Sequence, residues 1–87
     1  MNLKRTAEII VECINNNNIM RLSYRKSSGS KRAIVRMVEP YEIKQEGDKK
    51  YLYAYDNSGK TKTIKSFLLE NILSAQKQAR VFTPRTF

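Results

Sequence analysis

The chain has 87 residues, 17 Lys plus Arg against 8 Asp plus Glu, a formal net charge of +9 and 40% hydrophobic residues. This length supports a single core and leaves no room for a second domain. Cys13 is the single cysteine and there is no histidine, which excludes an internal disulfide, a Cys/His metal site and a nucleophile with a histidine base; no enzyme activity, cofactor or metal is expected.

Leu3, Ala7, Ile10, Val11 and Ile14 recur at helical spacing, with Asn2 as a cap and Arg5, Glu8 and Glu12 on the opposite side. This pattern predicts an amphipathic helix within residues 1–18. The run Asn15 to Asn18 ends it, because Asn tolerates left-handed backbone and weakens helix interiors. Ile19 to Arg25 then alternates, with Met20, Leu22 and Tyr24 on one side and Arg21, Ser23 and Arg25 on the other, as in a half-buried strand. Ser27-Ser28-Gly29-Ser30 reads as a loop, and Arg32 to Val38 as a second strand ended by Pro40. Further strands are predicted over Tyr41 to Gln45, Lys49 to Asp56 and Thr61 to Lys65, with turns at Glu46-Gly47-Asp48 and Asn57-Ser58-Gly59. Ser66 is placed as the cap of a short helical turn through Phe67 to Asn71, followed by a last strand over Ile72 to Ala79.

Short strands at this spacing predict a mainly β (α+β) fold: an N-terminal helix over residues 1–18, then a small antiparallel barrel of about five strands, SH3-like or Sm-like, over 19–79. Residues 80–87 read as a tail. The expected core draws on Leu22, Val35, Ile43, Leu52, Ala54, Ile64, Phe67 and Ile72, and the helix is expected to cover one end or open face, since an isolated helix of this length is marginal in water.

Aliphatic and Phe runs such as Ile9-Ile10-Val11 stop at three residues, against the roughly 20 that a membrane-spanning helix needs. Glu8 and Glu12 interrupt the segment after Lys4 and Arg5, unlike a signal peptide. The cytoplasm is the expected location, where an unpaired cysteine is ordinary.

Charge is unevenly spread. Residues 19–38 carry six cations and no acid, residues 39–59 five acids and three lysines, and residues 60–87 six cations against Glu70 alone. Clustered cations gain affinity for polyanions by displacing counterions from phosphates. Tyr51, Tyr53 and Tyr55 share one strand face, where tyrosines either stack unpaired bases or receive the apolar side of the first helix. Arg21 and Arg25 share a polar strand face with Arg36 expected across the hairpin, an arrangement suited to phosphate or simply to a solvated sheet surface. Lys60 and Lys62 share a face that Lys65 leaves. No phosphate loop or helix-turn-helix unit is present, because the glycines are scattered and only one helix is predicted.

The order of these motifs resembles the WYL domain, a bacterial Sm-like barrel module named for a Trp-Tyr-Leu triplet. The resemblance rests on Lys50-Tyr51-Leu52 at the triplet, Arg36-Met37-Val38-Glu39-Pro40 before it, Gly47 ahead of it, and Lys65-Ser66-Phe67-Leu68-Leu69-Glu70-Asn71-Ile72 in place of an Arg-x-Phe-x-x-x-Arg-Ile signature; it covers about Ile19 to Ala79. Lys50 stands for the tryptophan, Lys65 for the first signature arginine and Asn71 for the second. Lysine keeps the charge without the planar fork, and asparagine loses the charge.

The resemblance implies a regulatory or sensor module, of the kind that sits behind a DNA-binding half in bacterial transcription regulators and binds single-stranded nucleic acid or a nucleotide-like ligand in a basic pocket. Carried over by position, it assigns ligand binding to Tyr24, Arg36, Lys65 and Asn71; the reading of the residues themselves adds Arg21, Tyr51 and Tyr53. The chain is expected to act either as a stand-alone module on another protein or as part of a longer regulator. The alternative is a protein-interaction module without a nucleic-acid ligand, in which the helix and an exposed strand edge form a homodimer or dock on a partner.

Overall fold

Thr6, Ile10 and Cys13 are buried along one side of helix α1, Leu3–Asn16. Their i, i+4, i+7 spacing lines one helical face. That face is rotated from the expected stripe, since Val11 is 45% exposed while Thr6 and Cys13 take inner positions. Asn17 ends the helix with φ 56°, a conformation Asn adopts at lower cost than most residues. Asn18 already begins the next strand, and its side-chain amide donates to the Gln78 carbonyl at 3.1 Å.

The computed structural model describes residues 3–26, 32–57 and 63–86. The expected Asn2 cap, the Ser27–Ser30 loop, Ser58-Gly59 and the cations Lys31, Lys60 and Lys62 lie outside the described residues. Five strands follow the helix: β1 (Asn18–Tyr24), β2 (Ile34–Glu46), β3 (Lys49–Asp56), β4 (Ile64–Leu68) and β5 (Ile72–Val81). They form one antiparallel sheet in the order β4-β3-β2-β1-β5, so the mainly β class holds. The hydrogen-bonded sheet is not closed, because β4 and β5 remain its two edges. A 3-10 turn, Leu69–Asn71, carries the chain from one edge to the other. The sheet nevertheless curls strongly. Tyr24 of β1 and Phe67 of β4 lie three strand spacings apart in the sheet, about 14 Å if it were flat, yet their rings meet edge to face at 4.9 Å.

Pro40 does not end a strand. β2 runs 13 residues through it, and the ladder to β3 shifts between Pro40 and Glu42. The missing proline N–H thus falls at a bulge, where pairing is interrupted in any case. Gly47, at φ 64°, makes the tight turn into β3. Ser66 is not a cap: it belongs to β4, which starts at Ile64, and the 3-10 turn begins after Leu68 without a side-chain cap.

Leu22, Leu52, Ala54, Phe67 and Ile72 are buried as expected and join Ile10, Cys13, Met20 and Val38 in one core cluster. Ile43 packs against this cluster and Ile64 is half-buried. Val35 is instead 41% exposed. It pairs with Ser23, whereas its neighbours Arg36 and Val38 pair with the buried Leu22 and Met20, so β2 turns Arg36 and Val38 inward and Val35 out. α1 packs on β1, β2 and β5, on the core side of the sheet. The tyrosine row of β3 faces away from Leu52 and Ala54 and does not receive the helix.

Past β5 the chain stays on the sheet. The Phe82 amide donates to the Asn17 carbonyl at 2.9 Å, the Phe82 ring meets Tyr41 at 5.5 Å, and Arg85 reaches Glu39. Among the described residues, no helix is long and apolar enough to cross a membrane.

Candidate ligand-binding cleft

Residues directly opposite each other in an antiparallel pair share a sheet face. Arg36 lies opposite the buried Leu22, Lys65 opposite the buried Ala54, and Asp56 opposite the buried Val38. All three polar side chains therefore start on the core side of the sheet. There they meet: Lys65 Nζ donates to Asp56 Oδ2 at 2.8 Å, and Arg36 Nε lies 3.6 Å from the same oxygen. Asp56 is completely buried, a position that a carboxylate tolerates only with charged partners. One acid between two cations leaves a formal surplus of one positive charge. Arg36 Nε is itself buried and makes no hydrogen bond, while its Nη1 donates to the Val35 carbonyl at 3.1 Å.

Where β1 ends, a cleft of about 340 Å³ opens between Tyr24, Arg25, Lys26, Tyr51, Ser66 and Asn71, with Phe67 and Leu68 as its apolar lining. Four elements contribute. The alternation of β1 delivers Tyr24, and the edge-to-face contact with Phe67 holds its ring. The amide of Arg25 donates to the Asn71 carbonyl at 2.9 Å, which ties the 3-10 turn to the end of β1. Cations, hydroxyls, an amide and aromatic surface thus converge in a space near the lower bound of small-ligand sites.

Of the seven residues expected from sequence, the cleft brings together Tyr24, Tyr51 and Asn71. Arg36 and Lys65 meet on Asp56 instead. Arg21 is exposed on the outer face of β1, 3.5 Å from Gln76 Oε1. Tyr53 is outside the cleft too. Its hydroxyl donates to Glu46 at 2.9 Å, a bond that raises its pKa above the usual phenol value, and Lys44 lies 5.1 Å from its ring centre. Sequence reasoning missed Lys26 and Ser66 as cleft residues and grouped Arg25 with Arg21 on a polar strand face, although Arg25-Lys26 directly follows Tyr24 at a strand end.

The family described as the WYL domain matches residues 5–77. The chain belongs to the WYL domain family. No curated protein matches the sequence. Among solved structures the chain is similar to proteasome accessory factor B/C (PafBC) of Arthrobacter aurescens, with a TM-score of 0.83 at 19% identity, over 98% of this chain and 14% of that one. At this identity the likeness is one of fold, and the chain spans only a small part of PafBC. In this WYL domain the Lys50-Tyr51-Leu52 triplet exposes Lys50, turns Tyr51 to the cleft and buries Leu52. The closing signature buries Phe67 and Ile72 and gives Asn71 to the cleft. Asn71 brings no charge, and the cleft's cations come from Arg25 and Lys26.

Proposed function

We propose that this WYL domain is a non-catalytic sensor module of a regulatory protein, binding single-stranded nucleic acid or a nucleotide-like anion in the cleft between Tyr24 and Asn71. The observation that carries this reading is the convergence of two tyrosines and two cations in one cleft of about 340 Å³. Arg25 and Lys26 face phosphate, Tyr24 or Tyr51 offers a ring on which an unpaired base gains about 1–3 kcal/mol whatever its identity, and Ser66 and Asn71 supply hydrogen bonds to base or sugar. Arg36 and Lys65, with their surplus charge on the core side of the same sheet, reinforce the positive potential. A chain without histidine fits a role in binding rather than chemistry. Such a ligand is met in the cytoplasm, and its signal is read out by a DNA-binding partner or an attached DNA-binding segment.

The test is fluorescence anisotropy of short labelled single-stranded and duplex oligonucleotides at two salt concentrations, with wild type, Lys26→Ala, Tyr51→Ala and Lys65→Ala. Single strands should bind in preference, weaken as salt rises, and lose affinity in each folded variant. Weak binding that ignores strandedness and all three substitutions refutes the reading.

A second reading, a homodimer or partner-docking module, is favoured by the outer side of α1. There Ala7 and Val11 line a shallow groove of about 610 Å³ edged by Lys4, Glu8 and Glu12. Ile10 is fully buried in the core, so Val11 is the position that reports on assembly.

A further inference from the structure

Glu39 and Tyr55 are opposite each other across β2 and β3, on the face that carries the tyrosine row and points away from the core. A carboxylate there is ordinarily solvated. Glu39 is only 3% exposed because the segment after β5 folds over it. Arg85 grips it with both arms of its fork, Nε to Oε1 at 2.8 Å and Nη2 to Oε2 at 3.1 Å. The guanidinium carbon lies 4.1 Å from the centre of the Tyr55 ring. Tyr41 completes the enclosure: its hydroxyl donates to Glu39 Oε1 at 3.2 Å and accepts the Arg85 amide at 3.0 Å. Burial pushes the Tyr41 phenol above its usual pKa, with the Arg85 amide opposing, so the hydroxyl keeps its proton for Glu39.

A planar, bidentate, charge-assisted grip combined with an aromatic face matches a guanidinium and fits an ammonium poorly. We propose that Glu39, Tyr41 and Tyr55 form an arginine-recognition site, filled here in cis by Arg85 and open in exchange to an arginine on an extended segment of a partner protein. The occupant's chemistry is given by Arg85 itself and by the charge of this face of the β2–β3 ladder, where Glu39, Glu42 and Glu46 stand against Lys44 and Lys49 in an otherwise basic chain. Such a surface repels nucleic acid and attracts a basic peptide. The site shares its sheet face with Tyr51 and Ser66 of the cleft but uses none of the cleft's residues, and it does not depend on the nucleic-acid reading. Arg85 keeps 45% of its side chain exposed, so the grip can be released without opening the core.

The test is calorimetric titration of a peptide with the sequence of residues 81–87 into full-length Arg85→Ala protein, beside the same peptide carrying lysine or citrulline in place of arginine. The arginine peptide should bind the variant, the other two about tenfold more weakly or worse, and adding Glu39→Gln should abolish binding. Wild type, its site already filled, should bind the arginine peptide about tenfold more weakly than the variant. If Arg85→Ala does not fold, Arg85→Lys carries the same titration, keeping the charge without the fork. Equal binding of the three peptides, or none, by a folded variant overturns the proposal. A wild-type dimer that Arg85→Lys dissolves overturns the partner assignment in favour of a second copy.

Discussion

Lys65 and Asp56 form an ion pair of 2.8 Å whose acid is completely buried and whose base is 37% exposed. Arg36, 38% exposed, shares the same oxygen at 3.6 Å. Asp56→Asn keeps the shape and removes the anion, leaving two cations side by side. Removing one partner of a buried pair costs about 3–5 kcal/mol; with both cations more than a third exposed, solvent screening reduces this to about 2 kcal/mol. The urea midpoint should fall accordingly, while affinity for an anionic ligand rises. An unchanged midpoint would show that Asp56 is not the counter-ion on which the cluster depends.

The rotated face of α1 separates two adjacent residues. Ile10→Ala empties a fully buried site and should cost about 2–5 kcal/mol. Val11→Ala, at the solvent side, should stay within about 0.5 kcal/mol. Chemical denaturation of both variants is the measurement, and equal losses would place the helix in the register that the sequence pattern suggests.

Gly47 has φ 64°, and a methyl group built there meets nothing within 4 Å. The penalty for Gly47→Ala is therefore one of backbone conformation alone, about 1–2 kcal/mol. Gly47→Asn should recover much of it, because Asn adopts the left-handed region at lower cost. Thermal unfolding would contradict this if Ala proved the milder substitution.

Alkaline conditions should weaken the fold. Burial raises the Cys13 thiol above its ordinary pKa of 9.0, Glu12 adds to the shift and Lys77 opposes it. Above that pH the unfolded chain loses a proton that the folded chain keeps, so the slope of stability with pH is negative. The contribution is fully present below about pH 9 and disappears as pH rises through the folded value. Tyr41 acts with the same sign from about pH 10, chiefly through burial. Urea midpoints between pH 7 and 11 should decline earlier in wild type than in Cys13→Ala; parallel curves would remove Cys13 from the cause.

Much of this was legible in the residue order. The Tyr51 to Tyr55 alternation bounded by Gly47 and Asn57 defines β3, and the Met20, Leu22, Tyr24 alternation gives the inner face of β1 and one wall of the cleft. Pro40 misled because a proline ends a ladder only where its N–H is required, and a bulge removes that need. Thr6 and Cys13 were passed over because neither counts as strongly apolar, although both fit the helical period. Asp56 continues the series Leu52, Ala54 and so was readable as inward-facing, which would have placed Lys65 and Arg36 beside it. The Arg85 grip had no local signal, since its partner lies 46 residues away and only the folded sheet brings them together.

Because β2 passes unbroken through Pro40, β1 and β3 hang on the same strand, and the molecule cannot be divided there into two self-sufficient halves. The natural place to sever it is the exposed Gly47-Asp48 tip. A nick at that point interrupts no core contact and leaves the β2–β3 ladder from Val38 and Asp56 to Glu46 and Lys49 to rejoin the fragments. Split at that tip, the domain becomes a complementation pair whose reassembly can be read as a signal.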